Sequence, residues 1–148
     1  MKRAVKRYYR SLGYDIKIAR IRLGNTEIDG EAVRNGERIA IEIKTLGDDL
    51  ARGLGQLAEA LASGYNQAVL VTTSRKAKRI GSPIFSTAGF TLLAVDSKGK
   101  VHAMAQSTNS QPYLRGLPDD WLTKPSIDEM KIKAAIEKLK QQAVIRKT

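Results

Sequence analysis

The stretch Glu27-Ile28-Asp29-Gly30-Glu31-Ala32-Val33-Arg34-Asn35-Gly36-Glu37-Arg38-Ile39-Ala40-Ile41-Glu42-Ile43-Lys44 decides the fold. Arg34-Asn35-Gly36-Glu37 is turn-like, so the residues before it can fold back beside those after it. On an extended strand, residues two apart share a face. Glu27 and Asp29 therefore point together on one strand, and Glu42 and Lys44 on its neighbour. Three carboxylates and one ammonium would crowd a single patch of an otherwise apolar sheet. Such a patch repels itself unless a cation sits in it. The expectation is a metal-dependent hydrolytic site.

Working outward, residues 2–12 read as a helix with an apolar stripe of Ala4, Val5, Tyr8, Tyr9 and Leu12, ended by Gly13. A strand with broken alternation follows over residues 16–23, with a turn at Gly24-Asn25. Residues 26–33 and 38–45 form the second and third strands. In the third, Ile39, Ile41 and Ile43 face a core, while Ala40, Glu42 and Lys44 face a cleft; Ile28 lies opposite Glu27, Asp29 and Glu31 in the same way. Asp48 is the expected N-cap of a helix over 49–62 with Leu50, Leu54, Leu57 and Leu61 inward. Gly53 and Gly55 weaken that helix by roughly 1 kcal/mol each, which close packing on the sheet would explain.

Residues 68–73 are an unbroken apolar run, as in a strand covered on both faces. A short helix over 74–80, a loop at Gly81-Ser82-Pro83 and strands over 90–96 and 101–105 complete a core domain of residues 1–105. Residues 106–125 read as a linker or ordered loop. Residues 126–148 read as a basic helix, opened by a capping box of Ser126 and Glu129 and packed on the core or on a partner subunit. Its stripe is Ile132, Ala135, Ile136 and Leu139.

A chain of 148 residues with 42% hydrophobic content can bury a real core. Its formal charge of +11 points to a polyanionic partner. One basic cluster holds Lys2, Arg3, Lys6, Arg7 and Arg10, followed by Lys17, Arg20 and Arg22; another holds Arg75, Lys76, Lys78 and Arg79. These two flank the acidic patch and suit a phosphate backbone. Tyr8 and Tyr9 are core residues first and base-stacking candidates second. Cysteine is absent, which excludes disulfides and thiolate metal sites. No apolar run approaches the roughly 20 residues of a membrane span, so the expectation is a cytoplasmic chain with no membrane partner.

Helix, three strands with acids on the second and third, helix, buried strand: this order resembles the PD-(D/E)xK nuclease superfamily, in its RecB/Mrr-like or Holliday-junction-resolvase-like branches. Asp29 matches the first acid, Glu42-Ile43-Lys44 the (D/E)xK element, and Gln56 the glutamine that RecB-like and Mrr-like branches carry in the next helix. The resemblance covers roughly residues 1–75. Ile28 stands where the motif's name has proline, and the first helix lacks the metal-binding Glu of archaeal resolvases. The resemblance implies a restriction-endonuclease-like α/β fold, with a mixed central sheet flanked by helices and a C-terminal helical extension. It also implies a DNA endonuclease, acting as a homodimer and leaving 5′-phosphate and 3′-hydroxyl ends. The alternatives are a junction-specific resolvase and a nucleic-acid-binding protein that keeps the fold without cutting.

The residues make chemical sense on their own. Mg²⁺ and Mn²⁺ prefer carboxylate and water oxygens. Asp29 and Glu42 can share one ion, with the Ile43 backbone carbonyl as third ligand and Glu27 as an optional further one. Glu27 serves equally as a salt-bridge partner for Arg38 or Lys44. Lys44 would orient water or stabilise charge on the phosphate. Gln56 would position water or contact a phosphate, or simply face solvent. His102 is the only histidine, which excludes His-based sites, and it reads as a surface strand residue. Trp121 reads as a linker anchor.

Overall fold

The computed structural model describes residues 1–45, 49–80, 85, 89–105, 130, 132, 134–139 and 141, with only the backbone of residues 79 and 80. The elements run α1 (Lys2–Ser11), β1 (Asp15–Lys17), β2 (Ile21–Leu23), β3 (Thr26–Ile28), β4 (Gly30–Arg34), β5 (Glu37–Ile43), α2 (Leu50–Ala62), β6 (Gln67–Thr73), α3 (Ser74–Ile80), β7 (Thr91–Val95) and β8 (Val101–Ala105). Six strands make one sheet in the order β1-β4-β5-β6-β7-β8, and β2 pairs with β3 as a separate ribbon. β5, β6 and β7 are mutually parallel, and the outer pairings are antiparallel. This is a mixed α/β architecture, as the sequence implies.

Parallel central strands require cover on both faces, and each face has its own core. On one, α1 buries Ala4, Val5 and Tyr9 over Ile39, Ile41, Val69, Val71, Leu93 and Val95. On the other, α2 sets Leu50, Leu54 and Leu57 against Ala40, Ala68, Leu70, Leu92 and Ala94. Ala77 of α3, Phe85, Phe90, Ile132 and Ile136 join that second core, so the described part of the C-terminal helix packs on it. Ser126, Glu129, Trp121 and residues 106–125 lie outside the described residues.

Three expectations are corrected. The first two strands each break in two. Ile16 and Ile18 pack toward the α1 side, whereas Ile21 and Leu23 pack toward the α2 side. That change of parity between residues 18 and 21 turns β2 and β3 out of the sheet and against α2. Gly30 marks the crossing, since a Cβ there would stand 2.5 Å from the Lys17 carbonyl oxygen. Second, the N-cap of α2 is Asp49, one residue after the expected Asp48, which lies outside the described residues; the Asp49 carboxylate accepts the N–H groups of Ala51 at 3.0 Å and Arg52 at 3.4 Å. Third, the Ala40–Glu42 face of β5 is a second core rather than an open cleft, and Ile28 belongs to it.

Candidate functional site

The site forms where the hairpin bends. Asp29 sits in the break between β3 and β4, and its own N–H donates to the Ile41 carbonyl at 3.0 Å. The bend frees its carboxylate to accept the Ile43 N–H at 2.8 Å. Ile43 is thus the hinge between the motif's two pieces. The Lys44 N–H points to β6, bonding the Val71 carbonyl at 2.8 Å. By strand alternation the Ile43 N–H and C=O both point the other way, toward Asp29.

Glu42 is only 1% exposed. Its Oε2 lies 3.5 Å from Lys44 Nζ, and its Oε1 is buried without a hydrogen-bond partner. Burial, reinforced by the charge of Asp29 and opposed by Lys44, pushes the Glu42 carboxyl up to about 7. Lys44 reaches this position because Gly53 of α2 offers no side chain: a Cβ there would stand 2.9 Å from Lys44 Cε. One turn along the same face of α2, Gln56 donates from Nε2 to the Glu27 carbonyl at 2.9 Å, and its Oε1 is buried and unpartnered. Gln56 therefore ties α2 to β3 instead of facing solvent.

Asp29, Ile43, Glu42 and Lys44 are brought together, and Gln56 stands one turn of α2 beyond Gly53, bonded to the Glu27 carbonyl. Glu27 is not among them. It is exposed, stands opposite Arg22 in the ribbon, and lines a cavity of about 620 Å³ with Arg22, Arg52, Gln56 and Glu59. It pairs with neither Arg38, which reaches Glu31 at 3.5 Å, nor Lys44. Of the basic residues, Lys2, Arg3, Arg7, Arg10, Arg75 and Lys78 are exposed and Lys6 is half-buried. Lys76 departs from this group: it is buried, with Nζ 3.5 Å from the Thr45 carbonyl. The Arg79 side chain lies outside the described residues. Tyr9 is buried, which removes it as a base platform.

Thr72 is a residue that sequence reasoning missed. It shares the α2-side face of β6 with Ala68 and Leu70, beside Lys44, and its Oγ1 is buried and unpartnered. A Thr in an apolar strand gives no signal by itself. Among the described residues, the buried side-chain oxygens without a partner are those of Glu42, Gln56 and Thr72. All three come from the elements around Lys44.

Two carboxylates with spare oxygens fit a hard divalent ion. Asp29 has one oxygen on the Ile43 N–H and its other has no hydrogen bond to the described residues; Glu42 has a desolvated oxygen with no donor. Among the described residues no group of three or more His, Cys, Asp or Glu is placed to hold a metal.

No family model and no curated protein matches the chain. Solved structures do. The SPO1766 protein of unknown function from Silicibacter pomeroyi is 16% identical with a TM-score of 0.56, over 98% of this chain and 84% of that one. An fdxN element excision controlling factor protein from Anabaena variabilis is 18% identical with a TM-score of 0.51, over 70% and 96%. An XisH family protein from Nostoc punctiforme PCC 73102 is 18% identical with a TM-score of 0.50, over 68% and 94%. At these identities the likeness carries the fold, which is restriction-endonuclease-like. Among the described residues no helix is long and apolar enough to cross a membrane.

Proposed function

We propose that this chain is a Mg²⁺- or Mn²⁺-dependent deoxyribonuclease that hydrolyses phosphodiester bonds with a metal-activated water. The observation that carries this reading is the Glu42 carboxylate, 1% exposed, with Oε1 unpartnered and Oε2 3.5 Å from Lys44, its charge coupled to Asp29. A fold does not leave polar atoms unsatisfied in a core without cause.

In this reading Asp29 and Glu42 hold the ion, with the Ile43 carbonyl directed to the same side. A bound divalent ion supplies Lewis-acid polarisation of the phosphoryl oxygen and a water acidic enough to attack at neutral pH. The Ile43 N–H fixes the Asp29 carboxylate in advance. Lys44, half-buried and held 3.5 Å from Glu42, meets the charge that builds on the phosphate. Gln56, anchored through its amide nitrogen, would offer its unpartnered oxygen to a water in the site. Exposed cations of α1 and α3 hold the flanking backbone, and two copies pair to cut two strands.

The test incubates the protein with supercoiled, linear, single-stranded and four-way-junction DNA in Mg²⁺, Mn²⁺ or EDTA, alongside Asp29→Asn and Lys44→Ala. Cleavage confined to wild type with metal supports the proposal. Cleavage that survives EDTA or both substitutions defeats it. Tight binding without cleavage of any substrate points to the non-catalytic alternative, and exclusive cutting of the junction to the resolvase.

A further inference from the structure

We infer that the groove between α1 and the β7–β8 turn, on the sheet face opposite Glu42, is a second track for a nucleic-acid backbone, continuous with the cleavage site. The inference rests on the nucleic-acid partner proposed above.

Two cavities, of about 460 Å³ and 330 Å³, run along α1 and share Ala4, Arg7 and Gly99, so they form one groove. Five cations line it: Arg3 and Arg7 from α1, Arg75 from the start of α3, and Lys98 and Lys100 from the turn. Among the described residues none of the five forms an ion pair. The groove's one acid, Asp96, is committed elsewhere. Its Oδ1 accepts the backbone N–H groups of Lys98 and Lys100, both at 2.9 Å, and its Oδ2 lies 2.9 Å from His102 Nε2. α1 itself carries no acidic residue. Five like charges converge on one groove against the single carboxylate of Asp96 and raise a positive potential, which a linear polyanion relieves over its whole length.

Position links the groove to the site. Its inner end is at Thr73 and Val95, which pair across β6 and β7. Lys44 is bonded to Val71 on the same β6. Thr73 lies two residues beyond Val71 on β6, so the groove's inner end and Lys44 sit at the same C-terminal end of the strands, on opposite faces of the sheet. A strand held at the carboxylates can therefore round the C-terminal strand ends and enter the groove. Tyr8 forms part of its wall, with its ring edge-on to Tyr9 at 5.2 Å.

The experiment measures binding in EDTA, so that it does not depend on cleavage. A fluorescein-labelled DNA duplex of about three helical turns is titrated by anisotropy at about 50–200 mM salt. Wild type is compared with Lys98→Ala/Lys100→Ala and with a charge-matched control, Lys138→Glu, which lowers the net charge by the same amount at an exposed lysine outside the groove. The groove variant is expected to bind about tenfold more weakly at the upper salt, with a slope of log affinity against log salt reduced by about 2; the control changes neither by as much as half. A groove variant that matches the control overturns the inference, as does displacement of the duplex by polyglutamate at equal charge concentration. Wild type that fails to bind overturns this inference and the proposed partner together. Wild type that binds without cutting in Mg²⁺ overturns the catalytic reading alone.

Discussion

Gly53 and Lys44 fit each other: a Cβ at position 53 would stand 2.9 Å from Lys44 Cε and 3.3 Å from Leu70 Cδ1. Gly53→Ala therefore sets two effects against one another. Helix propensity gains up to about 1 kcal/mol, while the ammonium must leave its place beside Glu42. The expected outcome is a folded protein within about 1 kcal/mol of wild type, with cleavage down at least about tenfold. Gly55, two residues on, is open: a Cβ there would meet nothing within 4 Å. Gly55→Ala should raise stability by roughly 0.5–1 kcal/mol. Urea unfolding of the two variants separates the cases; equal gains would mean that Gly53 has no packing role.

Asp29 does two jobs that substitution can separate. Its Oδ2 accepts the Ile43 N–H, and its charge acts on Glu42. Asp29→Asn keeps an acceptor and should fold with nearly unchanged stability, yet lose cleavage. Asp29→Ala leaves the Ile43 N–H unpaired and should cost about 1–2 kcal/mol besides. Equal stability for the two variants in chemical unfolding would show that the 2.8 Å bond contributes nothing.

Gly30 offers a purely structural check of the hairpin bend. A Cβ at this position meets backbone, the Lys17 carbonyl oxygen at 2.5 Å, and also Ile18 Cδ1 at 2.9 Å and Ile18 Cα at 3.1 Å. Backbone cannot rotate away, so Gly30→Ala should cost about 3 kcal/mol or more. A thermal midpoint like that of wild type would show that β1 does not cross here.

Much of this was legible in the chain. Period-two patterning located β5 and an unbroken apolar run located β6, and the (D/E)xK spacing placed Glu42 and Lys44 on one face, because strand geometry converts spacing into direction. The bend at Asp29 was less visible. The sequence shows broken alternation around Ala19 and Arg20, but which half joins the main sheet depends on what α2 covers. Glu42 as a buried acid was not legible, since burial comes from a helix packed over Ala40. Lys76 illustrates the same limit: its neighbours Arg75 and Lys78 are exposed, while its own side chain turns to the Thr45 carbonyl. Charge runs give composition, not direction. The pairing of α1 with Lys98 and Lys100 depends on tertiary contact alone.

Glu42 should make the metal-free protein less stable as pH rises. A carboxyl whose folded value, about 7, lies above the ordinary glutamate value of 4.5 binds its proton more tightly when folded. Stability is therefore greatest below about pH 4.5, declines through the interval up to 7, and stays reduced above it. The loss is on the order of 3 kcal/mol. Glu42→Gln removes the titration, so the variant should exceed wild type by about 1–3 kcal/mol near pH 8 and converge with it near pH 4.5. Urea unfolding in EDTA across this range measures the difference. A difference independent of pH would place the titration elsewhere.

The same proton makes metal binding pH-dependent, and this can be read without any nuclease assay. A divalent ion must displace the Glu42 proton to use that carboxylate. With the carboxyl at about 7, two pH units below that value cost the ion about a hundredfold in apparent affinity. Mn²⁺ at a concentration about a hundred times its dissociation constant near pH 8 should stabilise the protein by roughly 2.7 kcal/mol. The same concentration near pH 5 should give well under 1 kcal/mol. Thermal unfolding with Mn²⁺ and with EDTA at both pH values measures this directly. Asp29→Asn and Glu42→Gln should abolish the shift at both, and Lys44→Ala should leave it largely in place because Lys44 is not a ligand. A shift of equal size at the two pH values would mean that Glu42 does not hold the ion, and a shift that survives both carboxylate substitutions would move the metal away from the bend between β3 and β4.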